Sequence, residues 1–264
     1  VVDGVPAGLF LTEADIQAYL NRRKPGQSRY TTARNEGDEV EILSGVFEGQ
    51  TTGTPISMIV RNKDQRSRDY GNIAQTYRPG HADFGFDSKY GFRDYRGGGR
   101  SSGRETIGRV AAGAIAAKIL KELGITLQAY TRSIGPVSCH SYHPEVIKEN
   151  SFYMPDMVAA EKASQYLEQC MKEEDSAGGV IECRINGVPA GIGDPVFGKL
   201  DAAFAQALMS IGAVKAVGIG DGIKVSTMKG SEDNDGFHME NGRIVKTTNH
   251  SGGILGGISD GGEI

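Results

Sequence analysis

Residues Gly97–Gly113 read GGGRSSGRETIGRVAAG. Three glycines lead into Arg100-Ser101-Ser102-Gly103-Arg104-Glu105, and a long run dense in alanine and branched aliphatics follows. Ser102 and Glu105 have capping-box spacing, so the stretch predicts a largely buried helix over Glu105–Leu123, ended by Gly124. A helix start offers backbone N–H groups and the positive end of the dipole, which suits a phosphate. Arg100 and Arg104 add permanent charge and bidentate donors. The plain alternative is a well-capped helix with two surface arginines.

Upstream, residues 61–100 show little periodicity and are crowded with Arg, Asp, Tyr and Gly, which reads as one long functional loop. It contains Tyr77-Arg78-Pro79-Gly80-His81-Ala82-Asp83. The Pro-Gly turn fixes the backbone just before the imidazole, as a positioned acid–base group requires. Asp83 is a candidate to orient the ring, although i, i+2 alternation would point it away. Further upstream, Thr12 caps a helix to Arg23, with Asp15 as capping-box partner and Leu11, Ile16 and Leu20 as the apolar stripe. Arg22-Arg23-Lys24-Pro25-Gly26-Gln27-Ser28-Arg29 closes it. Cations at a helix C-terminus have a structural explanation, yet the turn would also aim Arg23 and Arg29 toward one place.

Downstream, helices are expected over Asp156–Glu174 and Asp201–Met209. Strands are expected over Glu39–Leu43, Thr54–Val60, Ile125–Ile134, Gly179–Ile185 and Gly222–Met228, with a hairpin at Asn241-Gly242. Met209–Lys215 and Asn249–Gly257 are glycine-rich segments that can edge a flat cofactor, but neither is a dinucleotide fingerprint. GVPAG occurs at Gly4–Gly8 and again at Gly187–Gly191, and Glu48–Ile56 loosely matches Gly256–Ile264. These point to a single domain over residues 1–264 with two pseudo-repeated halves near 1–130 and 175–264, or to chance matches between glycine-rich turns.

The 38 glycines among 264 residues follow no short period, which excludes a collagen-like chain and suits tight turns and backbone-lined loops. Residues 20–109 hold 16 Lys/Arg against 11 Asp/Glu; with a net charge of −4 overall, the remainder carries −9. A local arginine surplus in an acidic chain indicates one anionic small-molecule site rather than a nucleic-acid face. Cys139, Cys170 and Cys183 are too few and scattered for a disulfide framework or metal site, and fit a reducing compartment. His140, His143 and His238 read as surface residues without metal-ligand spacing. No run reaches the ~18 apolar residues of a membrane span.

In order, VDGVPAG (2–8), RRKPGQSRYTTAR (22–34), LSGVFEGQTTGTPI (43–56), RPGHADF (78–84), GGGRSSGRET (97–106), GDPVFGKLDAAFAQALMSIGAVKAVGIGDG (193–222) and NHSGGILGGISDG (249–261) resemble the motifs of the chorismate synthase family across essentially the whole chain. The resemblance implies an α+β fold, a β-α-β sandwich with helices packed between two antiparallel sheets. It implies a cytoplasmic lyase of the shikimate pathway that eliminates phosphate from 5-enolpyruvylshikimate 3-phosphate to give chorismate. Reduced FMN is the implied cofactor, with NADPH or a separate flavin reductase as its source of electrons, and a homotetramer is the implied assembly. Motif by motif, His81 matches the family's histidine beside the flavin. Arg23, Arg29, Arg78 and Arg104 match positions for the anionic substrate. Arg100, Ser101, Ser102, Gly212, Ala213 and Gly256 match flavin-binding positions.

Gly103 stands where relatives often have alanine. The family's G-E-S-H-G segment, with a second histidine, and its K-P-T-x-S and R-H-D segments do not occur within residues 1–264, so no turnover is expected from these residues expressed alone. Two other classes compete. A nicotinamide-dependent oxidoreductase lacks its fingerprint here, and an RNA-binding module using residues 61–100 sits poorly with the −9 balance elsewhere.

Overall fold

The computed structural model describes residues 1–31, 37–62, 74–95 and 102–264. The chain divides into two compact units, Val1–Ile119 and Leu120–Ile264. Helix and strand are mixed, and every strand pair among the described residues is antiparallel, as an α+β chain requires.

In the first unit, α1 (Glu13–Arg23) starts at Thr12, whose N–H and hydroxyl both donate to the Asp15 carboxylate at 2.8 and 3.0 Å. Its inward stripe, Leu11, Ile16 and Leu20, is fully buried as the spacing predicts. Strand β1 (Val40–Ile42) pairs with β4 (Met58–Val60), Val40 opposite Val60. The expected strand over Thr54–Val60 is shorter because Pro55 has no N–H to give a ladder. Between them, β2 (Val46–Phe47) and β3 (Gln50–Thr51) make a tight hairpin.

The chain around 77–91 is not a featureless loop: α2 (Asp83–Tyr90) forms there and ends on Gly91 at φ 71°. A 3-10 turn over Gly103–Glu105 then leads into α3 (Thr106–Glu122). The expected capping box is not made as drawn. Ser102 Oγ accepts from the N–H of Arg104 at 3.3 Å, and Glu105 turns forward to pair with Arg109 at 3.0 Å. Helix α3 buries a single stripe, Ala111, Ala114 and Ile115, rather than most of its surface. It closes as expected at Gly124 (φ 76°): Gly124 N–H donates to Lys121 O and Ile125 N–H to Leu120 O, the paired bonds of a Schellman motif.

In the second unit, β5 (Thr126–Ile134) lies between β6 (Val137–Ser138) and β7 (Gly179–Asn186), with a register shift between Thr131 and Ser133. Helix α4 (Met157–Lys172), capped by Asp156 accepting from Ala159 N–H at 3.0 Å, packs its alanines Ala159, Ala160 and Ala163 with Cys139 and Met154. Helix α5 (Leu200–Met209) buries none of its residues. Residues Gly222–Thr227, expected as a strand, form a 3-10 helix instead. Ile-Lys-Val-Ser-Thr alternates as a strand would, but Asp221 and Ser226 side chains bond locally and favour the turn. After the short α6 (Gly230–Asp233), β8 (Phe237–Glu240) and β9 (Arg243–Lys246) pair around Asn241-Gly242, both at positive φ. Strands β10 (Ile254–Leu255) and β11 (Ile258–Ser259) complete the unit.

Candidate functional site

Among the sequence-predicted residues of the first unit, Arg78 and His81 meet one buried carboxylate and Arg23 meets another. Asp83, the first residue of α2, has a side chain 4% exposed. Because the chain turns helical there, Asp83 does not alternate away from His81 but folds back beneath it. Its Oδ2 accepts from the backbone N–H of Arg78 at 3.0 Å and from Arg78 Nε at 2.9 Å; its Oδ1 accepts from Arg78 Nη2 at 2.7 Å. The paired guanidinium hydrogen bonds hold the Asp83 carboxyl far below the usual carboxylate range, against the opposing cost of burial. His81 stands at the rim, with Nδ1 3.1 Å from Arg78 Nη2 and 3.0 Å from Asp83 Oδ1.

Arg93 underlies this cluster, and sequence reading missed it. Its side chain is buried, Nη1 lies 3.3 Å from Asp83 Oδ1, and Nε donates to Asp87 at 3.0 Å. Its Nη2 donates to the carbonyls of Ala74 and Thr76, and the guanidinium lies over the Tyr77 ring, 5.2 Å from its centroid. It ties the start of the His81 loop to α2. The only signal in the sequence is its place two residues after Gly91, where a helix stop precedes a cation.

The second carboxylate, Asp38, is 2% exposed and takes Arg23 Nη1 at 2.7 Å. Arg23 also donates through Nε to Thr106 Oγ1 (3.2 Å) and through Nη2 to Gly103 O (3.2 Å). It therefore links the end of α1 to the start of α3. Arg29, by contrast, donates to its neighbour Tyr30 and stacks on that ring. Arg104 is half-buried beside Ser102 in the turn before α3. Arg100 and Ser101 lie outside the described residues.

In the second unit, Gly212 and Ala213 are exposed just beyond α5, with Ala213 at φ 69°. Gly256, in the β10–β11 turn, has φ 61°, and nothing lies within 4 Å of where a side chain would start. The neighbouring glycine loops are knit tightly: a Cβ on Gly220 would fall 2.0 Å from His250 O. His250 Nδ1 lies 2.7 Å from Asp221 Oδ2, another contact the sequence did not suggest. Burial works against ionising Asp235, yet donors from Ser251, Thr248 and His250 N–H outweigh it and hold that carboxyl far below the usual range. Lys246 Nζ, nearly buried, bonds Asp260 at 2.6 Å and Asn249 at 2.7 Å. No helix among the described residues is long and apolar enough to cross a membrane.

The family model described as chorismate synthase matches residues 1–264. The chorismate synthase of Agathobacter rectalis is 65% identical over 263 residues, covering 99% of this chain and 72% of that protein. The chorismate synthase of Methanocella arvoryzae is 57% identical over 265 residues, covering 99% of this chain and 71% of that protein. A crystal structure of chorismate synthase superposes with a TM-score of 0.83 at 33% identity, covering 99% of this chain and 76% of the other. With the motifs in order, the fold shared and the identity this high, the chain belongs to the chorismate synthase family, lyases that eliminate phosphate from 5-enolpyruvylshikimate 3-phosphate to give chorismate.

Proposed function

We propose that the elimination is served by the His81 loop, with His81 as the proton-handling residue and Arg23, Arg29, Arg78 and Arg104 as the cationic surroundings of the substrate's phosphate and carboxylates. The observation that carries this reading is the preformed cluster of His81, Arg78 and buried Asp83. An imidazole bonded to a guanidinium that a buried carboxylate grips at two nitrogens is held in place before any ligand arrives. Arg104, at the turn before α3, sits where an anion also meets the positive end of that helix.

Ser102, Gly212, Ala213 and Gly256, together with Arg100 and Ser101, are the residues that would hold FMN. When bound there, reduced FMN would supply electron density for the departure of phosphate and an acceptor for the ring hydrogen. NADPH or a separate flavin reductase would keep it reduced, and a cytoplasmic homotetramer is the assembly we infer. The repeated turns at 4–8 and 187–191 are what a duplicated unit within one domain would leave.

The test is anaerobic turnover of the full-length protein with substrate and reduced FMN. His81→Ala is expected to lose about 100-fold or more in rate, the range of a positioned acid–base group. An unchanged rate removes His81 from the mechanism.

A further inference from the structure

The Arg78–Asp83–His81 cluster contains one question that bond counting answers: which partner owns the histidine's Nδ1. Asp83 Oδ1 and Arg78 Nη2 are almost equidistant from it, at 3.0 and 3.1 Å. A carboxylate has roughly four lone-pair sites. On Asp83, Oδ2 already takes the backbone N–H and Nε of Arg78, and Oδ1 takes Nη2 of Arg78 and faces Nη1 of Arg93 at 3.3 Å. Three of these are hydrogen bonds, all from Arg78, while Arg93 Nη1 stands at ion-pair distance without making one. An Nδ1–H would be a fourth donor on the same carboxylate, and it would oppose the hydrogens of Arg78 Nη2, which already bonds Nδ1. Arginine has no acceptor and keeps its protons, so Nη2 can only donate. A bare Nδ1 removes that opposition and accepts the Nη2 hydrogen.

We propose that Arg78 is the positioning residue of His81: Nη2–H occupies Nδ1, so the neutral ring carries its proton on Nε2 and presents a hydrogen-bond donor, while Asp83 and Arg93 clamp the guanidinium. This rests on the reading that His81 handles a proton, and it specifies the atom through which it does so. The motif is therefore not the usual carboxylate–histidine pair, in which Asp would hold Nδ1–H and leave Nε2 as a base. It also gives Arg78 a task besides any contact with substrate. The bidentate grip of Asp83 on Nε and Nη2 fixes the guanidinium plane, and Arg93 holds Asp83 from below through Nη1.

The test is nitrogen NMR on the whole protein labelled at histidine and arginine side chains, at neutral pH and without ligand. The chain has five histidines, and the His81 signals are those missing from His81→Gln. Wild type is expected to show an unprotonated Nδ1, a protonated Nε2 and a nitrogen–nitrogen coupling across the Arg78–His81 bond. Arg78→Met removes the donor and frees lone pairs on Asp83, so the proton should move to Nδ1 and the pattern should reverse. A protonated Nδ1 in wild type overturns the proposal, and so does a pattern that Arg78→Met leaves unchanged. Should Arg78→Met fail to fold, the coupling in wild type decides alone, and its absence sinks the idea. None of these readings needs substrate, so they stand or fall independently of the His81→Ala turnover result.

Discussion

Two hairpins, one in each unit, use the same hydrogen bonds with different surroundings. In the first, Thr51 Oγ1 donates to Pro6 O (2.6 Å) and accepts from Leu9 N–H (3.0 Å); Gly8 N–H donates to Thr51 O, and Val2 and Ile56 exchange backbone bonds. In the second, Ser259 Oγ donates to Pro189 O (2.6 Å) and accepts from Ile192 N–H (2.9 Å); Gly191 N–H donates to Ser259 O, and Ile185 and Ile264 exchange backbone bonds. Even the crowded glycines correspond. A Cβ on Gly45 would meet Pro55 O and Ile56, and one on Gly253 would meet Glu263 O and Ile264. What differs is the helix that follows each repeated GVPAG turn: α1 buries Ile16 and Leu20 completely, whereas α5 buries nothing and Leu208 is 41% exposed. The same backbone and hydroxyl hydrogen bonds thus recur in both hairpins, while apolar burial is decided by what packs over α1 and α5.

The sharpest way to break this comparison is to truncate matching helices. Leu20→Ala should cost about 3 kcal/mol or more through lost burial and a cavity, and Leu208→Ala less than about 1 kcal/mol. Denaturant midpoints would show it, and equal losses would mean that burial does not separate the two helices. Removing the hairpin hydroxyls should instead treat the halves alike. Thr51→Val and Ser259→Ala each leave a part-buried carbonyl and N–H without their partner, at about 0.5–1.5 kcal/mol apiece, whereas Thr51→Ser should cost about 0.8 kcal/mol for its methyl. Unequal losses for the two hydroxyls would show that the shared pattern has unequal weight.

The mildest test is acid. Asp83 in the first unit and Asp235 in the second both ionise more easily folded than unfolded, so each adds stability above its ordinary value near 3.8, and that stability is lost as pH falls toward the depressed value. Amide exchange around residues 78–90 and 247–253 should quicken together as pH drops from about 5 to about 3 relative to the intrinsic rate. Slower relative exchange on acidification would contradict the sign.

Where local chemistry decides structure, the sequence was readable. Thr12 and Asp15 announced α1, Gly124 the end of α3, and Asn241-Gly242 a hairpin, because caps and positive-φ turns need particular residues within a few positions. Helix α2 was not readable: DFGFDSKY has no apolar stripe and a central glycine, and only Gly91 signals its stop. Residues 222–227 misled because β-branched alternation resembles a strand, while local side-chain bonds made a 3-10 turn. At the candidate site, His81 and Arg78 stood out as residue types beside a rigid turn. Arg93 did not, since a buried arginine and a surface arginine look alike until its partners Asp83, Asp87 and two carbonyls are known.

Arg23 already holds Asp38, Gly103 and Thr106. An anion that recruits it does so by exchange and not by addition, because the bond to a buried carboxylate has to be shared or surrendered. The affinity Arg23 gives a ligand is then a difference between two ion pairs. Replacing Asp38 would change that difference without touching any atom the ligand meets.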